Sequence, residues 1–153
     1  MTFQIRFLTV TDFVSPLVPL GLMFGRIGNF INGELFGRVA DIKLVPWAVI
    51  YPQSGTLDPR HPSQIYQAMG EGFLLFLILF YLSKLKLPIG TNSASFLILY
   101  GVFRFIAEFF REPDAYLGLF LNFTLGQILC LPMIFFGILL LNSSLKKKEL
   151  QEA

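Results

Sequence analysis

The residues best suited to chemistry open with Gly25-Arg26-Ile27-Gly28-Asn29-Phe30-Ile31-Asn32-Gly33-Glu34-Leu35-Phe36-Gly37-Arg38. This stretch follows an apolar run with no charge between Asp12 and Arg26, yet it holds two arginines, a glutamate, two asparagines and four glycines. On a helix, Arg26, Asn29 and Gly33 fall at i, i+3 and i+7, so a guanidinium, a carboxamide and a bare patch of backbone share one face. An arginine fork suits a phosphate because its donors match two oxygens at once. The alternative is a helix entering a membrane, whose glycines let neighbours pack closely and whose arginine snorkels to the interface.

A second group, Tyr100, Arg104, Glu108 and Arg111, recurs at i, i+4, i+8 and i+11, one stripe of a single helix. Arg and Glu near the centre of a membrane helix each cost about 2.5–3.5 kcal/mol on insertion scales, so the pair needs a reason to be there. One reason is an intrahelical ion pair that locks this helix to a neighbour. The other is a polar pocket in which Arg104 binds an anion and Glu108 orients it. Glu71, flanked by Gly70 and Gly72, either faces the same pocket or bonds a neighbouring helix. His61, the single histidine, suits the stabilisation of a helix start better than the work of a base. One His, one Cys and scattered carboxylates make no metal site, and no nucleotide-type glycine loop or internal repeat occurs. No cofactor is expected.

These groups sit in 153 residues, enough for one compact unit. The chain is 54% hydrophobic with 18 Phe and only 14% charged, where soluble domains carry about 25%, so a membrane protein is the default class. A net charge of +2 without a basic stripe gives no case for nucleic acid. Cys130 alone permits no internal disulfide and sits in an apolar run as inert packing. Met1–Thr11 lacks the features of a cleavable signal peptide, so any membrane insertion is expected to use the chain's own spans.

The pattern predicts an all-α, polytopic membrane fold with about four spans. The first is apolar from Phe13 to Phe24 and continues into the Arg26 stretch, with Pro16 and Pro19 near its first turn. Residues 38–62, broken by Pro46, Pro52, Pro59, Pro62, Gly55, Asp41 and Asp58, read as a polar loop with one short strand at Trp47–Tyr51. Trp47 and Tyr51 suit a headgroup-level belt. His61-Pro62-Ser63 reads as a helix start with Ser63 able to cap, and the second span runs from there through Leu82. A third is predicted from about Ser93 or Ala94 to Phe110, ended by Glu112-Pro113-Asp114. The fourth runs from about Leu121 to Leu141 after a short interfacial piece, with a kink expected at Pro132. Residues 1–145 thus form one membrane domain, and 146–153 a basic tail without order.

Lys84 and Lys86 share a side with Lys146-Lys147-Lys148, and the excess of Lys and Arg in short segments assigns that side to the cytoplasm. The 38–62 loop is then extracytoplasmic, and both arginine groups lie near the outer leaflet. That arrangement suits an anionic lipid headgroup.

Several blocks resemble one family. Gly25-Arg26-Ile27-Gly28-Asn29-Phe30-Ile31-Asn32-Gly33-Glu34 with Gly37 and Arg38 is similar to the signature of prolipoprotein diacylglyceryl transferases. Arg60-His61-Pro62-Ser63-Gln64-Ile65-Tyr66, then Tyr100-Gly101-Val102-Phe103-Arg104-Phe105 with Glu108-Phe109-Phe110-Arg111-Glu112-Pro113-Asp114, then Gly126-Gln127-Ile128 with Pro132-Met133, resemble its later blocks in the same order. The resemblance implies a multi-pass enzyme of the bacterial inner membrane, active toward the periplasm or exterior. Its implied activity moves the diacylglyceryl group of phosphatidylglycerol onto the lipobox cysteine of a prolipoprotein and releases glycerol 1-phosphate. By the same resemblance Arg26 and Arg104 hold the phosphate, Asn29 and Glu34 shape the pocket, Glu108 orients Arg104, Gly37 leaves space for substrate, and Tyr100 lines the site. The resemblance covers the C-terminal half of the family or slightly more. An earlier His-Gly-Gly block, whose histidine is the family's usual candidate base, has no counterpart in these residues. The chain is therefore expected to need an N-terminal portion for full catalysis; the alternative is a catalytically inactive membrane fragment or subunit that binds anionic lipid.

Overall fold

The computed structural model describes residues 7–113 and 123–152. Helices α1 (Phe7–Val14) and α2 (Val18–Asn32) meet at a bend of 44°. Pro16 sits in the break and has no N–H to continue the ladder, while Pro19 occupies the first turn of α2, where a missing donor costs least. The apolar run expected as the first span thus lies in a bent pair of helices, with helical residues already ahead of Phe13. Gly33, at φ 70, ends α2 in the left-handed conformation open to glycine, and its N–H closes on Asn29 and Phe30 carbonyls.

The following loop is tied down by a small hairpin in which β1 (Val49–Ile50) pairs antiparallel with β2 (Pro59–Arg60). Tyr51 does not join a belt at headgroup level. It is buried, stacked on Phe36 with ring centroids 5.6 Å apart and edge-on to Phe30 at 6.3 Å, and its hydroxyl donates to Gln64 Oε1 at 3.1 Å. Burial pushes that hydroxyl's pKa above the ordinary tyrosine value, more than the Gln64 bond lowers it, so it remains a donor. Trp47 is the exposed member of the pair, bonded through Nε1 to the Tyr66 hydroxyl at 2.7 Å.

The second long helix runs unbroken from Ser63 to Ser83, but not uniformly. It starts as α3 (Ser63–Gln67), widens into a π-helical segment (Ala68–Leu74) and finishes as α4 (Leu75–Ser83). Ser63 does not cap it; its hydroxyl instead donates to the Leu35 carbonyl at 3.1 Å, pinning the loop to the helix start. The widened turn packs tightly on α2, where a methyl on Gly72 would come within 2.9 Å of Met23 Cα. That contact brings Glu71 and Arg26 to neighbouring positions.

Helix α5 (Thr91–Ala107) follows Gly90, whose φ is 97. Its cap comes from far away in sequence. The Asp12 carboxylate accepts from the Gly90 N–H at 2.6 Å, the Ser93 N–H at 2.8 Å and the Ser93 hydroxyl at 2.7 Å. An anion suits the positive end of the helix and satisfies donors that have no intrahelical partner. Asp12→Ala is expected to lower the free energy of unfolding by about 1–2 kcal/mol, read as an earlier thermal transition in detergent, whereas Asp12→Asn loses less.

At its other end α5 stops at Ala107, short of the expected Phe110. Competition for backbone partners explains the early stop. The Phe110 carbonyl accepts the Arg38 N–H at 2.9 Å, the Arg111 carbonyl accepts Arg38 Nε at 3.0 Å, and Arg111 pairs with Gly37 as an isolated bridge. Helix α6 (Leu125–Glu152) passes through Pro132 without a break, and the basic tail is helical to Glu152 rather than without order. The interfacial piece expected before it falls largely outside the described residues.

Among the described residues two helices, Ser63–Ser83 and Leu125–Lys147, are long and apolar enough to cross a membrane, and the bent α1–α2 pair makes a third if it is one span. The third expected span, α5, is a shorter apolar helix of 17 residues. Burial is inverted relative to a water-soluble domain. Phe13, Phe24, Phe80, Phe135 and Phe136 are exposed, while Gln64, Gln67, Glu71 and Glu108 are among the most buried side chains. Hydrocarbon outside and polar groups inside is the pattern of a chain surrounded by lipid.

Candidate functional site

The two arginines singled out by sequence converge, and what they converge on is Glu71. Arg26, on the last turns of α2, brings Nη2 to 3.7 Å from Glu71 Oε2; Arg104, near the end of α5, brings Nη1 to 3.6 Å from Glu71 Oε1. Glu71 is fully buried on the π-helical segment. Both separations exceed hydrogen-bonding distance, and neither carboxylate oxygen has a hydrogen-bond partner among the described residues. Sequence reasoning left Glu71 undecided between a pocket and a helix contact; it stands between the two cations. A single charge inside an apolar run, bracketed by Gly70 and Gly72, was the available signal.

The other nitrogen of Arg104, Nη2, is ion-paired with Glu108 Oε1 one turn on. Because the helix has ended, Glu108 also reaches sideways: it accepts from Arg111 Nη1 at 3.2 Å and from the Thr124 hydroxyl at 3.0 Å. Thr124 in turn accepts the Gln127 N–H, and Gln127 Oε1 accepts the Thr124 N–H, so the start of α6 is folded around this carboxylate. Arg104 thus stands between two carboxylates, Glu71 and Glu108. Tyr100 sits one turn before Arg104, stacked on Phe96 at 5.6 Å, with its hydroxyl in the field of Glu71, Arg104 and Arg26.

The remaining residues of the expected site are placed less directly. Asn29 lies three residues after Arg26 and its carbonyl accepts the Glu34 N–H at 2.9 Å. Glu34 is exposed, and the bond it supplies to the core is its own carbonyl, which accepts Gln64 Nε2 at 2.7 Å. The bare backbone at Gly33 is covered by the Gln53 carboxamide, whose Nε2 donates to the Asn32 carbonyl at 3.1 Å. Gly37 differs from expectation in a clear way. A Cβ there would strike the carbonyls of His61 and Phe110, so the room its missing side chain leaves is filled by this chain's backbone. Gly37 thus knits the loop to the end of α5, with its N–H on the His61 carbonyl at 3.0 Å and its carbonyl taking Arg60 Nη1 at 3.2 Å.

Arg60 was not singled out by sequence as more than part of a motif. It is buried, ion-paired with Glu112, and its guanidinium lies 4.8 Å over the Phe36 ring. His61 meets the start of the second long helix: Nδ1 is 3.3 Å from the Tyr66 hydroxyl, and the ring packs edge-on against Tyr66 and Phe110. A groove of about 330 Å³ opens beside Leu35, Phe36, Ser54, Arg60, Arg111 and Glu112.

Chemically the cluster offers fixed guanidinium groups from two helices at one point, restrained by carboxylates and shielded from bulk water. Such preorganised cations stabilise negative charge that grows on a departing group. A family model described as prolipoprotein diacylglyceryl transferase matches residues 1–143. Among curated relatives, a protein of Paracidovorax citrulli named phosphatidylglycerol–prolipoprotein diacylglyceryl transferase is 56% identical over 134 residues, 87% of this chain and 49% of its own length. The protein of the same name from Idiomarina loihiensis is 57% identical over 139 residues, 90% of this chain and 51% of its own. That of Dechloromonas aromatica is 52% identical over 148 residues, 96% and 56%. The chain spans about half the length of the curated relatives it matches.

Proposed function

The chain belongs to the prolipoprotein diacylglyceryl transferase family, and on that premise we propose that it carries the lipid-binding part of an enzyme that lipidates prolipoproteins. The diacylglyceryl group of phosphatidylglycerol passes to the lipobox cysteine. The cysteine sulfur attacks the glycerol carbon that bears the phosphate ester. A C–S bond forms, the C–O bond breaks, the thiol proton is lost, and glycerol 1-phosphate departs. The observation that carries this reading is the approach of Arg26 and Arg104, from separate helices, to within 3.7 Å of one buried carboxylate. Guanidinium groups so placed can take the phosphate of one lipid and the charge that develops on it as the C–O bond breaks.

Glu108 keeps Arg104 in place, Tyr100 lines the site, and Asn29 and Glu34 shape its rim. The protein is embedded in the bacterial inner membrane with this cluster toward the periplasm or exterior. The exposed phenylalanines and the Lys84, Lys86 and Lys146-Lys147 clusters at the opposite helix ends support that orientation. The thiol has a pKa of ~8.5 when free, and the group that deprotonates it is not assigned to this chain.

The test is transfer of labelled diacylglyceryl from phosphatidylglycerol to a lipobox peptide, measured for this chain alone and for the chain extended at its N-terminus with the corresponding half of a relative. Transfer by the extended protein is the expected result. Retention of phosphatidylglycerol without transfer in both would replace this reading with that of an inactive lipid-binding fragment.

A further inference from the structure

Three polar atoms where the arginines meet, Oε1 and Oε2 of Glu71 and Nη1 of Arg104, approach their ion-pair partners only at 3.6–3.7 Å, and with Nε2 of Gln67 on the same helix as Glu71 they have no hydrogen-bond partner among the described residues. Glu71 has no exposed surface and Gln67 is 1% exposed. Gln67 ends α3, one turn before Glu71, and both belong to the buried face of the same helix. Buried polar groups are nearly always paired, and helices that widen into a π turn frequently do so at functional sites.

The chemistry of the four atoms restricts what could satisfy them. A carboxylate only accepts, so its missing partners must be donors; the carboxamide nitrogen only donates, so its partner must be an acceptor. A phosphodiester brings acceptors alone. It would satisfy Arg104 and Gln67, but it would leave Glu71 facing a like charge. A hydroxyl group donates and accepts at once, and a carboxylate is its strong acceptor.

We infer that Glu71 and Gln67 form a subsite for the hydroxyl groups of a phosphopolyol headgroup, beside the guanidinium groups that take its phosphate. This rests on the lipid-binding reading above and adds to it the element that selects among anionic lipids. The arginines supply attraction to any phosphate. Glu71 sets against it an acceptor-only group that penalises a phosphodiester lacking a hydroxyl. Discrimination arises because the buried acceptor is left unpaired by the wrong ligand, a larger effect than the gain from pairing it with the right one.

The experiment compares phosphatidylglycerol with phosphatidylmethanol, a phosphodiester of the same charge without a hydroxyl. The chain is reconstituted in micelles with both lipids and a phosphatidylcholine background, and retained lipid is counted by native mass spectrometry. The wild-type chain is expected to favour phosphatidylglycerol by about tenfold. Glu71→Gln should bring the ratio to within about twofold by raising retention of phosphatidylmethanol. Gln67→Leu, which leaves the ion pairs intact, should narrow the ratio part of the way, and it carries the test if Glu71→Gln does not yield a monodisperse protein. A wild-type chain that retains the two anionic lipids equally, both above phosphatidylcholine, overturns the hydroxyl subsite and leaves the phosphate site standing. Retention of neither overturns both. An unaltered ratio in Glu71→Gln, or in Gln67→Leu where that variant stands alone, overturns the assignment to these residues.

Discussion

Arg104→Ala is expected to lower diacylglyceryl transfer at least a hundredfold, in a chain extended to the length of its relatives. Loss of one preorganised donor at a site of developing charge costs about 10²–10³ in rate, and Arg104 loses a full charge as well as a donor. Its position explains why nothing nearby can substitute. One nitrogen faces Glu71 at 3.6 Å and the other is paired with Glu108, so the side chain has one orientation. Lys at this place keeps the charge but cannot meet both carboxylates with a planar fork, so Arg104→Lys should fall between wild type and alanine. Arg26→Ala, acting from α2 on the same point, should be as severe. The variants are compared at equal membrane content, and phosphatidylglycerol retention is measured alongside. A rate near wild type in either alanine variant would remove that arginine from the phosphate site.

Both arginines were legible in the sequence because a charge in apolar surroundings is conspicuous and because the motif blocks bracket them. Their meeting point was less so. Glu71 is equally conspicuous, but the phase of an α-helix does not say that residues 68–74 form a π turn, and the turn sets which way a side chain points. The same limit applies wherever tertiary pairing outranks local pattern. Asp12 caps a helix through Gly90, 78 residues later, and no window of sequence contains both partners. Phe110 and Arg111 fit a continuing helix by composition, yet their carbonyls are taken by Arg38, and α5 stops first. Tyr51 has the amphipathic character of an interfacial residue; the rings of Phe30 and Phe36 draw it inside. Glycines were read as openings for a ligand, whereas Gly33 and Gly37 admit a carboxamide and two carbonyls of the same chain. Spacing identifies where close approach is allowed, and only the fold decides what approaches.

The early end of α5 has its own consequence, which Glu108→Ala should expose. Glu108 is 1% exposed and joins three elements: it pairs with Arg104 on α5, accepts from Arg111 in the strand-like segment beyond, and accepts from Thr124 at the start of α6. Truncation leaves two guanidinium groups without this counter-charge and a buried hydroxyl without its acceptor. Breaking a buried ion pair from one side costs about 3–5 kcal/mol, because the surviving charge stays desolvated. Glu108→Ala should therefore unfold at a markedly lower temperature than wild type, or fail to accumulate in the membrane. Glu108→Gln tests the cause. It keeps the volume and one acceptor but turns an N–H₂ group toward arginine, so it should recover packing without recovering stability fully. The backbone of α6 passes close to the carboxylate, since a Cβ at Gly126 would lie only 2.7 Å from Oε1. If Glu108→Ala matched wild type in thermal unfolding while losing activity, the carboxylate would be serving Arg104 alone and the junction with α6 would be held by apolar packing. If it lost both together, the scaffold and the site would share one anchor, and activity lost on this substitution could not be assigned to chemistry without the Glu108→Gln comparison.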